Sequence, residues 1–254
     1  MRESKVSAAP PPVMILGCGR SGTSIFGELF EHIPVYRYQS EPPFEDVMAA
    51  DYSRPQAFKV PRDSDRFGAP QPGLSFPLGA MRAHRPDMQF FWIVRHPLDA
   101  ISSLRIGIAQ NWGHHPRPPD WQAWLDRPLV AQCAHHWAFL NTAGYGQVKD
   151  LAKVVKFEDM IADPAAFAAG VCHALGLDPA DFAETLAAWS DRVQDSNNAK
   201  FVEAMTSRGY SRPDHSRRVG RWQENLSAED VDLAWPIVEA AATPFGYSRD
   251  GDTP

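Results

Sequence analysis

The chain has 254 residues, 44% of them hydrophobic, which is enough for one α/β domain with a full core. The formal net charge of −6 excludes the general positive field that draws proteins to nucleic acid, so no nucleic-acid partner is expected. No apolar run reaches membrane-spanning length, no signal peptide is recognisable, and the three cysteines lie far apart without metal-ligand spacing. These features predict a cytoplasmic protein.

The first strand, predicted near 13–16, leads into a glycine-rich turn that reads Gly-Cys-Gly-Arg-Ser-Gly-Thr-Ser. Gly17 and Gly22 have the spacing of a nucleotide-binding P-loop. Thr23 stands where that loop has the lysine that reaches the β- and γ-phosphates, and the cation is Arg20 instead. Such a loop suits one phosphate better than a triphosphate. A glycine-rich turn without a ligand is the alternative.

Strand-like and helix-like segments alternate along the chain, which predicts a three-layer αβα fold with a central, mainly parallel sheet. Residues 1–12 are polar and proline-rich and are predicted to be a flexible tail before a single domain over residues 13–250. Ligands of such sheets bind beyond the carboxyl ends of the strands. Strands are predicted near 13–16, 35–38, 57–60, 89–94 and 153–157, and helices near 23–33, 78–84, 99–107, 128–143, 164–175, 180–189 and 228–241.

A second anion-binding segment follows the apolar strand predicted near 89–94. Arg95 stands at the end of this strand and Ser103 lies in the helix that starts near Asp99, so both side chains can face one anion. A guanidinium group suits phosphate because its fork of donors matches the phosphate oxygens. The alternative for a lone arginine is an ion pair with a surface carboxylate.

Together the two segments resemble the sulfotransferases that use 3′-phosphoadenosine 5′-phosphosulfate (PAPS). Arg20–Ser24 is similar to the loop with which that family grips the 5′-phosphosulfate. Arg95, Pro97 and Ser103 are similar to the segment with which it grips the 3′-phosphate. The resemblance implies the α/β fold of that family, with PAPS as co-substrate, PAP as product and no metal.

Later stretches are similar to the bacterial branch of the same family. Residues 154–164 resemble its strand and loop ending in Asp-Pro, and residues 218–227 resemble its loop with Gly-Arg-Trp and Leu-Ser. Gly246 and Tyr247 match its final Gly-Tyr. The resemblance therefore runs in order from about residue 13 to residue 248.

The resemblance also implies which residues form the site. Arg20 is expected to neutralise charge on the bridging oxygen and the 5′-phosphate, and either Arg217 or Arg218 is expected to contact the 3′-phosphate. The implied donor-binding residues are Gly19, Arg20, Ser21, Gly22, Thr23, Ser24, Arg95, Ser103, Arg217, Arg218 and Gly220.

Glu41 is the implied general base, because it resembles the base in a family segment that follows the second strand. Ser40 and Pro43 stand where that segment has Lys and His. Lys59 resembles the lysine of a family Lys-Ser-Pro step and is expected to touch the sulfonate or to orient Glu41. A histidine in 111–136 is the alternative base.

The expected activity is transfer of a sulfonate group to a hydroxyl or amine of a small-molecule or glycan acceptor. Two other hypotheses are a P-loop kinase and a non-catalytic nucleotide-binding module. Acceptor specificity is expected to depend on the long loops 61–77 and 111–128. Four tryptophans in and near the second loop are predicted to form the acceptor wall: Trp112, Trp121, Trp124 and Trp137.

Overall fold

A computed structural model describes residues 9–62, 65–193 and 218–252. Its centre is a five-stranded sheet in which all neighbouring strands are parallel. The predicted α/β fold with a parallel central sheet is confirmed. The strands are β1 (Val13–Gly17), β2 (Arg37–Ser40), β3 (Gln56–Lys59), β4 (Gln89–Val94) and β5 (Ala152–Lys156), and their order in the sheet is β2-β3-β1-β4-β5.

Both faces of the sheet are covered, because successive side chains of a strand point to opposite faces. In β1, Met14 and Leu16 belong to one buried cluster, whereas Val13 and Ile15 belong to the other. The first face packs against α4 (Pro97–Ala109), α5 (Leu129–Phe139) and α11 (Ala228–Ala242). The second face packs against α1 (Thr23–Leu29), α7 (Phe157–Ala162), α8 (Pro164–Ala174) and α9 (Ala183–Ser190).

Shorter elements complete the described part of the chain. A π-helical turn at Leu140–Gly144 directly follows α5, so the single helix predicted near 128–143 changes its hydrogen-bond pattern at its end. A small antiparallel hairpin lies close to the C-terminus. These elements are α2 (Phe44–Met48), α3 (Leu78–His84), α6 (Tyr145–Val148), α10 (Trp222–Asn225), β6 (Tyr247–Ser248) and β7 (Gly251–Asp252), with short 3₁₀ turns at Asp65–Phe67, Trp121–Trp124, Pro179–Phe182 and Thr243–Phe245.

Two predictions about the second strand region were inaccurate. The strand predicted near 35–38 lies at Arg37–Ser40, because its position is set by pairing with β3 and not by its own half-exposed side chains. The helix α2 was not predicted. It has only five residues, two of them buried, and this is too short for a helical pattern to be read.

The strand order places the ends of β1, β2, β3 and β4 at one edge of the sheet. The chain leaves β1 towards β2 and β3 on one side and continues to β4 and β5 on the other. Such a reversal opens a crevice at the carboxyl ends of the strands. The four segments that follow these strands therefore meet in one place.

Glu28, in α1, gives the fold a pH dependence that can be tested. Burial raises the pKa of Glu28 to about 7, against the opposing effect of Arg192, whose Nη2 lies 3.5 Å from the carboxylate. A carboxyl group whose pKa is raised by folding stabilises the fold below its unfolded pKa, and this contribution is lost as the pH rises through about 7. The wild-type protein thus loses stability from this group between mildly acidic and neutral pH.

Replacing Glu28 with glutamine removes this titration. We expect the free energy of unfolding of Glu28→Gln to rise relative to wild type by about 1–3 kcal/mol on going from pH 5 to pH 8. Urea unfolding at the two pH values measures it. Glu184→Gln, at an exposed carboxylate of α9, is the control and should show no such change. An equal difference from wild type at both pH values for Glu28→Gln would contradict the assignment.

Candidate active site

The loop between β1 and α1 has the backbone geometry of an anion cradle. Arg20 and Gly22 have positive φ angles of 67° and 95°. A Cβ atom on Gly22 would lie 2.4 Å from the ring of Phe157, so both the backbone conformation and the available space require glycine here. The turn is closed by the Ser21 amide, which donates to the carbonyl of Cys18 at 3.2 Å.

The side chains of this loop divide into buried and available groups. Cys18 is fully buried and free, and burial raises the pKa of its thiol, so it fills space beneath the turn. The hydroxyl of Ser21 is buried and has no hydrogen-bond partner among the described residues. Thr23 is the first residue of α1, and Ser24 follows it with its hydroxyl directed towards β3.

Lys59, at the end of β3, connects this loop with the segment that follows β2. Its Nζ lies 2.7 Å from Oε1 of Glu41 and donates to the Ser24 hydroxyl at 3.2 Å. The Lys59 side chain is 2% exposed and that of Glu41 is 31% exposed, so the lysine is held in the interior while the carboxylate reaches solvent. Arg62 lies 3.6 Å from the other carboxylate oxygen.

The backbone at this point is unusual. Glu41 and Val60 both have positive φ angles, 51° and 40°, although neither is glycine. Conformations of this kind cost energy and tend to occur at functional sites. Parallel pairing of β2 with β3 aligns Ser40 with Lys59, and this register brings the two charged side chains together.

Arg95, at the end of β4, joins two loops. Its Nη1 donates to the carbonyl of Arg20 at 3.1 Å, and its Nη2 donates to the carbonyl of Arg218. The guanidinium group also lies over the ring of Phe157, with Cζ 4.2 Å from the ring centroid. The arginine is only 4% exposed, and its two hydrogen bonds tie the loop between β1 and α1 to the segment that contains Arg218.

The start of α4 anchors the same C-terminal segment. Asp99 accepts hydrogen bonds from the amides of Gly220 at 2.8 Å and Trp222 at 2.9 Å. Arg221 is thereby directed inward, where its Nη1 donates to the hydroxyl of Ser103 at 2.8 Å. Burial, and next the positive charge of Arg95, lower the pKa of Arg221 to about 9.

Arg221 was not among the predicted site residues, although the Gly-Arg-Trp motif that contains it was recognised. The contact with Ser103 joins positions far apart in the chain, and no local pattern shows it. Arg218 lies in the same segment and is buried. Arg217, the other predicted candidate, is outside the described residues.

These groups fit a bound phosphate. The Nε atoms of Arg95 and Arg221 are buried without a hydrogen-bond partner among the described residues, as is the Ser21 hydroxyl. Arg20, Arg95 and Arg218 all lower the pKa of Arg221, which means that several cations share one small region. Buried cations with unused donors favour an anion between them, since it relieves their repulsion and completes their hydrogen bonds.

Comparison with known proteins identifies the family. The sequence pattern of the sulfotransferase family matches residues 45–184, which is more than half of the chain. The chain belongs to the sulfotransferase family. A search of curated proteins found no match to the sequence.

Solved structures show that this sulfotransferase has the fold of known members. The mouse sulfotransferase SULT7A1, complexed with PAP, is 15% identical with a TM-score of 0.58, over 92% of this chain and 84% of that one. The sulfotransferase domain from the curacin biosynthetic pathway is 13% identical with a TM-score of 0.54, over 95% and 99%. Retinol dehydratase in complex with androsterone and PAP is 14% identical with a TM-score of 0.54, over 92% and 81%.

One histidine of the sulfotransferase's 111–136 region lies beside the loop between β1 and α1. A Cβ atom on Gly19 would stand 3.0 Å from Nδ1 of His114. Burial, and next the positive charge of Arg20, lower the pKa of His114 to about 3, so its imidazole is a weak base. His136 is fully buried, and its Nδ1 accepts a hydrogen bond from the indole N–H of Trp112. The Nε2 of His135 lies 2.7 Å from a carboxylate oxygen of Asp120.

The tryptophans do not form the wall that was predicted as a group. Trp112 and Trp137 are fully buried in the hydrophobic core. Trp121 and Trp124 are half-buried at the surface of the same region, and Trp124 stacks on His135 with ring centroids 4.0 Å apart. Large aromatic side chains contribute most to the stability of the fold when they are buried. Trp112 and Trp137 therefore lie in the core and not at the surface.

Glu158 has a structural role in this sulfotransferase. Its carboxylate accepts hydrogen bonds from the His96 amide and the Tyr247 hydroxyl, both at 2.8 Å. These contacts hold the end of β4, the start of α7 and the C-terminal hairpin together.

Within the described ranges, no group of three or more His, Cys, Asp or Glu side chains is placed to hold a metal ion. None of the helices in those ranges is long and apolar enough to cross a membrane.

Proposed function

We propose that this protein transfers a sulfonate group from PAPS to a hydroxyl or amine of a small molecule or glycan. The observation that carries the proposal is the arrangement of two cationic groups at one edge of the sheet. One is Lys59, between Glu41 and the Ser24 hydroxyl, and the other comprises Arg95 and Arg221 beside Ser103, with the charge of Arg20 close enough to lower the pKa of Arg221. Their positions suit a donor that carries phosphate groups on both the 5′ and the 3′ oxygen of its ribose.

PAPS supplies the sulfonate group. The acceptor oxygen attacks the sulfur of this group while the bond between the sulfur and the 5′-phosphate oxygen breaks. The proposed role of Arg20, with Thr23, Ser24 and the loop amides, is to hold that phosphate and to neutralise the charge that it gains. A preorganised donor of this kind is worth about 3 kcal/mol of the reaction barrier. Glu41 takes the acceptor proton, and Lys59 holds Glu41 in place from the interior side.

The second group selects the donor. Ser103, Arg95, Gly220 and one or more arginines of the C-terminal segment are proposed to bind the 3′-phosphate, which ATP lacks. Arg221 is added to the predicted set because it is the arginine that contacts Ser103.

The three cysteines are free and buried, which supports a reducing compartment such as the bacterial cytoplasm.

Thermal unfolding with PAP, ADP or ATP plus magnesium tests this proposal. A ligand at 100 times its dissociation constant stabilises the fold by roughly 2.7 kcal/mol. We expect PAP to raise the melting temperature more than ADP at the same concentration, because only PAP carries the 3′-phosphate. Stabilisation by ATP and magnesium but not by PAP would favour the kinase hypothesis.

Ser103→Ala is expected to lower the affinity for PAP by about 5- to 10-fold and to leave the affinity for ADP unchanged. The hydroxyl orients Arg221, and ADP has no phosphate at that position. Isothermal titration calorimetry with both nucleotides measures the effect. Ser102→Ala is the matched control, because the adjacent hydroxyl donates to the Leu98 carbonyl within α4. Equal losses for both nucleotides would contradict the assignment of Ser103 to the 3′-phosphate.

A non-catalytic nucleotide-binding module remains the competing function. It predicts tight binding of PAP without turnover of PAPS for any acceptor. The paired Lys59 and Glu41 favour an enzyme, since a module that only binds a nucleotide has no need of a carboxylate held at the phosphate loop.

A further inference from the structure

Lys59 is a buried cation that benefits from a negative partner throughout the proposed reaction. Its side chain is 2% exposed, and its Nζ lies 2.7 Å from Oε1 of Glu41. The proposed reaction removes the charge of this partner, because Glu41 becomes neutral when it takes the acceptor proton. A buried charge that loses its partner is costly. A second negative group near Lys59 would therefore favour the transfer step.

Helix α1 covers the sheet face to which Lys59 points. The side chains of Ala57 and Lys59 lie on the same face of β3, and Ala57 belongs to the buried cluster that includes α1. The Ser24 hydroxyl of α1 accepts a hydrogen bond from Nζ of Lys59 at 3.2 Å. Residues four apart on a helix lie on one face, about one turn from each other. Glu28 therefore lies one turn beyond Ser24 on the face of α1 that contacts Lys59.

The helix lies close to the sheet at this point. A Cβ atom on Gly27 would collide with the hydroxyl of Tyr38, a residue of β2. Tyr38 pairs with Ala57 in the parallel ladder, which places it beside the strand that carries Lys59. The side chain of Glu28 is only 15% exposed. Its carboxylate is therefore a largely covered group on the side of α1 that packs on β2 and β3.

Among the described residues, four charged or titratable groups face Glu28. Arg192, after α9, lies 3.5 Å from the carboxylate, and Glu31 follows α1. Lys59 faces it from β3 and Tyr38 from β2. Burial raises the pKa of Glu28 to about 7. Arg192 has the next largest effect and lowers this pKa, and the smaller effects of Glu31 and Lys59 oppose each other. Glu28 is thus charged above neutral pH and uncharged below it.

We propose that Glu28 is a positioning residue of the transfer site, which keeps the Lys59 ammonium paired while Glu41 carries the acceptor proton. This role rests on the proposed function. The acceptor oxygen forms the new bond to sulfur, the bond from sulfur to the 5′-phosphate oxygen breaks, and PAP leaves with that electron pair. As the acceptor proton passes to Glu41, the charge of Glu28 takes the place of the charge of Glu41 beside Lys59.

A double-mutant cycle tests this role without an acceptor. Glu41→Gln imitates the neutral state of the base, and Glu28→Gln removes the second carboxylate. At pH 8 we expect the folding equilibrium constant of the double variant to be about 10-fold lower than the two single variants predict, because Lys59 then keeps neither carboxylate. At pH 5, where Glu28 is protonated, the two effects should add. Urea unfolding of the four proteins measures both.

Glu184→Gln takes the place of Glu28→Gln in the control cycle, since Glu184 is an exposed carboxylate of α9. Its effect should add to that of Glu41→Gln at both pH values. Additivity of Glu28→Gln and Glu41→Gln at pH 8, to within about twofold, would overturn the role of Glu28.

The pH dependence of turnover gives a second test, and it decides the question if the double variant does not fold. The probes are 4-nitrophenol, cyclohexylmethanol and N-acetylglucosamine, each with PAPS, and sulfated product from single turnovers is measured by mass spectrometry. We expect Glu28→Gln to lower turnover about 10-fold at pH 8 and by less than about twofold at pH 5. The same variant is expected to gain stability relative to wild type over this pH range, so a purely structural role would not lower its activity at pH 8.

The kinetic outcomes separate this role from the proposed function. An equal ratio of variant to wild-type turnover at the two pH values would overturn the role of Glu28 and leave sulfonate transfer standing. No product from any probe, together with no stabilisation by PAP, would overturn both.

Discussion

Glu41→Gln is expected to lower turnover by about 10²-fold or more while the affinity for PAP stays within about twofold of wild type. The amide cannot accept the acceptor proton, but it keeps an oxygen for the Nζ of Lys59, which is 2.7 Å away in the wild type. Glutamine is preferable to alanine, since alanine would leave the buried lysine without this partner. Single-turnover assays with an active acceptor, together with calorimetric titration of PAP, separate the two effects.

Asp46→Asn is the matched control for this variant. Asp46 is an exposed carboxylate in α2, a few residues from Glu41, and its removal should leave turnover unchanged. Turnover of Glu41→Gln at the wild-type level would exclude Glu41 as the base.

Arg95→Lys is expected to lower the affinities for both PAP and ADP, by about 10²-fold for PAP and by a smaller factor for ADP. A charge-assisted hydrogen bond to a loop carbonyl is lost in both cases, whereas the fork that faces the 3′-phosphate matters for PAP only. The planar fork of Arg95 reaches the carbonyls of Arg20 and Arg218 at the same time. A lysine has a single nitrogen and cannot bridge both. The joint loss distinguishes Arg95 from Ser103, whose removal is expected to affect PAP alone.

Calorimetric titration of both nucleotides and thermal unfolding without ligand test the Arg95 prediction. Arg85→Lys is the control, because the guanidinium group of Arg85 contacts Asp87, 2.6 Å away, and the ring of Tyr52, and neither residue belongs to the proposed site. A large loss for PAP with unchanged ADP affinity would show that Arg95 acts on the 3′-phosphate alone and does not support the phosphate loop.

The site residues that the sequence predicts lie in short segments, in which neighbouring residues set the conformation. Gly22 requires a positive φ angle, and the spacing of Gly17, Gly22 and Arg20 is that of a turn around an anion. Arg95 directly follows β4 and Ser103 lies in α4, the next helix, so one strand-to-helix connection carries both residues. Such relations extend over a few residues, so pattern and spacing are sufficient to find them.

Sequence patterns do not predict which side chains are buried where distant segments compete for the same core. The tryptophans of the 111–136 region could not be divided by sequence into two core residues, Trp112 and Trp137, and two surface ones. Which aromatic ring is buried depends on the neighbours that the fold brings to it, and those neighbours come from other elements.

The sequence by itself determined the fold class, the glycine-rich turn after the first strand and the position of Arg95 at the end of the fourth, because turn conformation and strand or helix periodicity are local properties. Only the tertiary structure decided that Lys59 pairs with Glu41, that Arg221 contacts Ser103, and that the backbone of Gly73 packs directly on that of Gly144. These contacts depend on the order of strands in the sheet and on backbone packing between loops. Residues that meet in this way have no shared pattern along the chain.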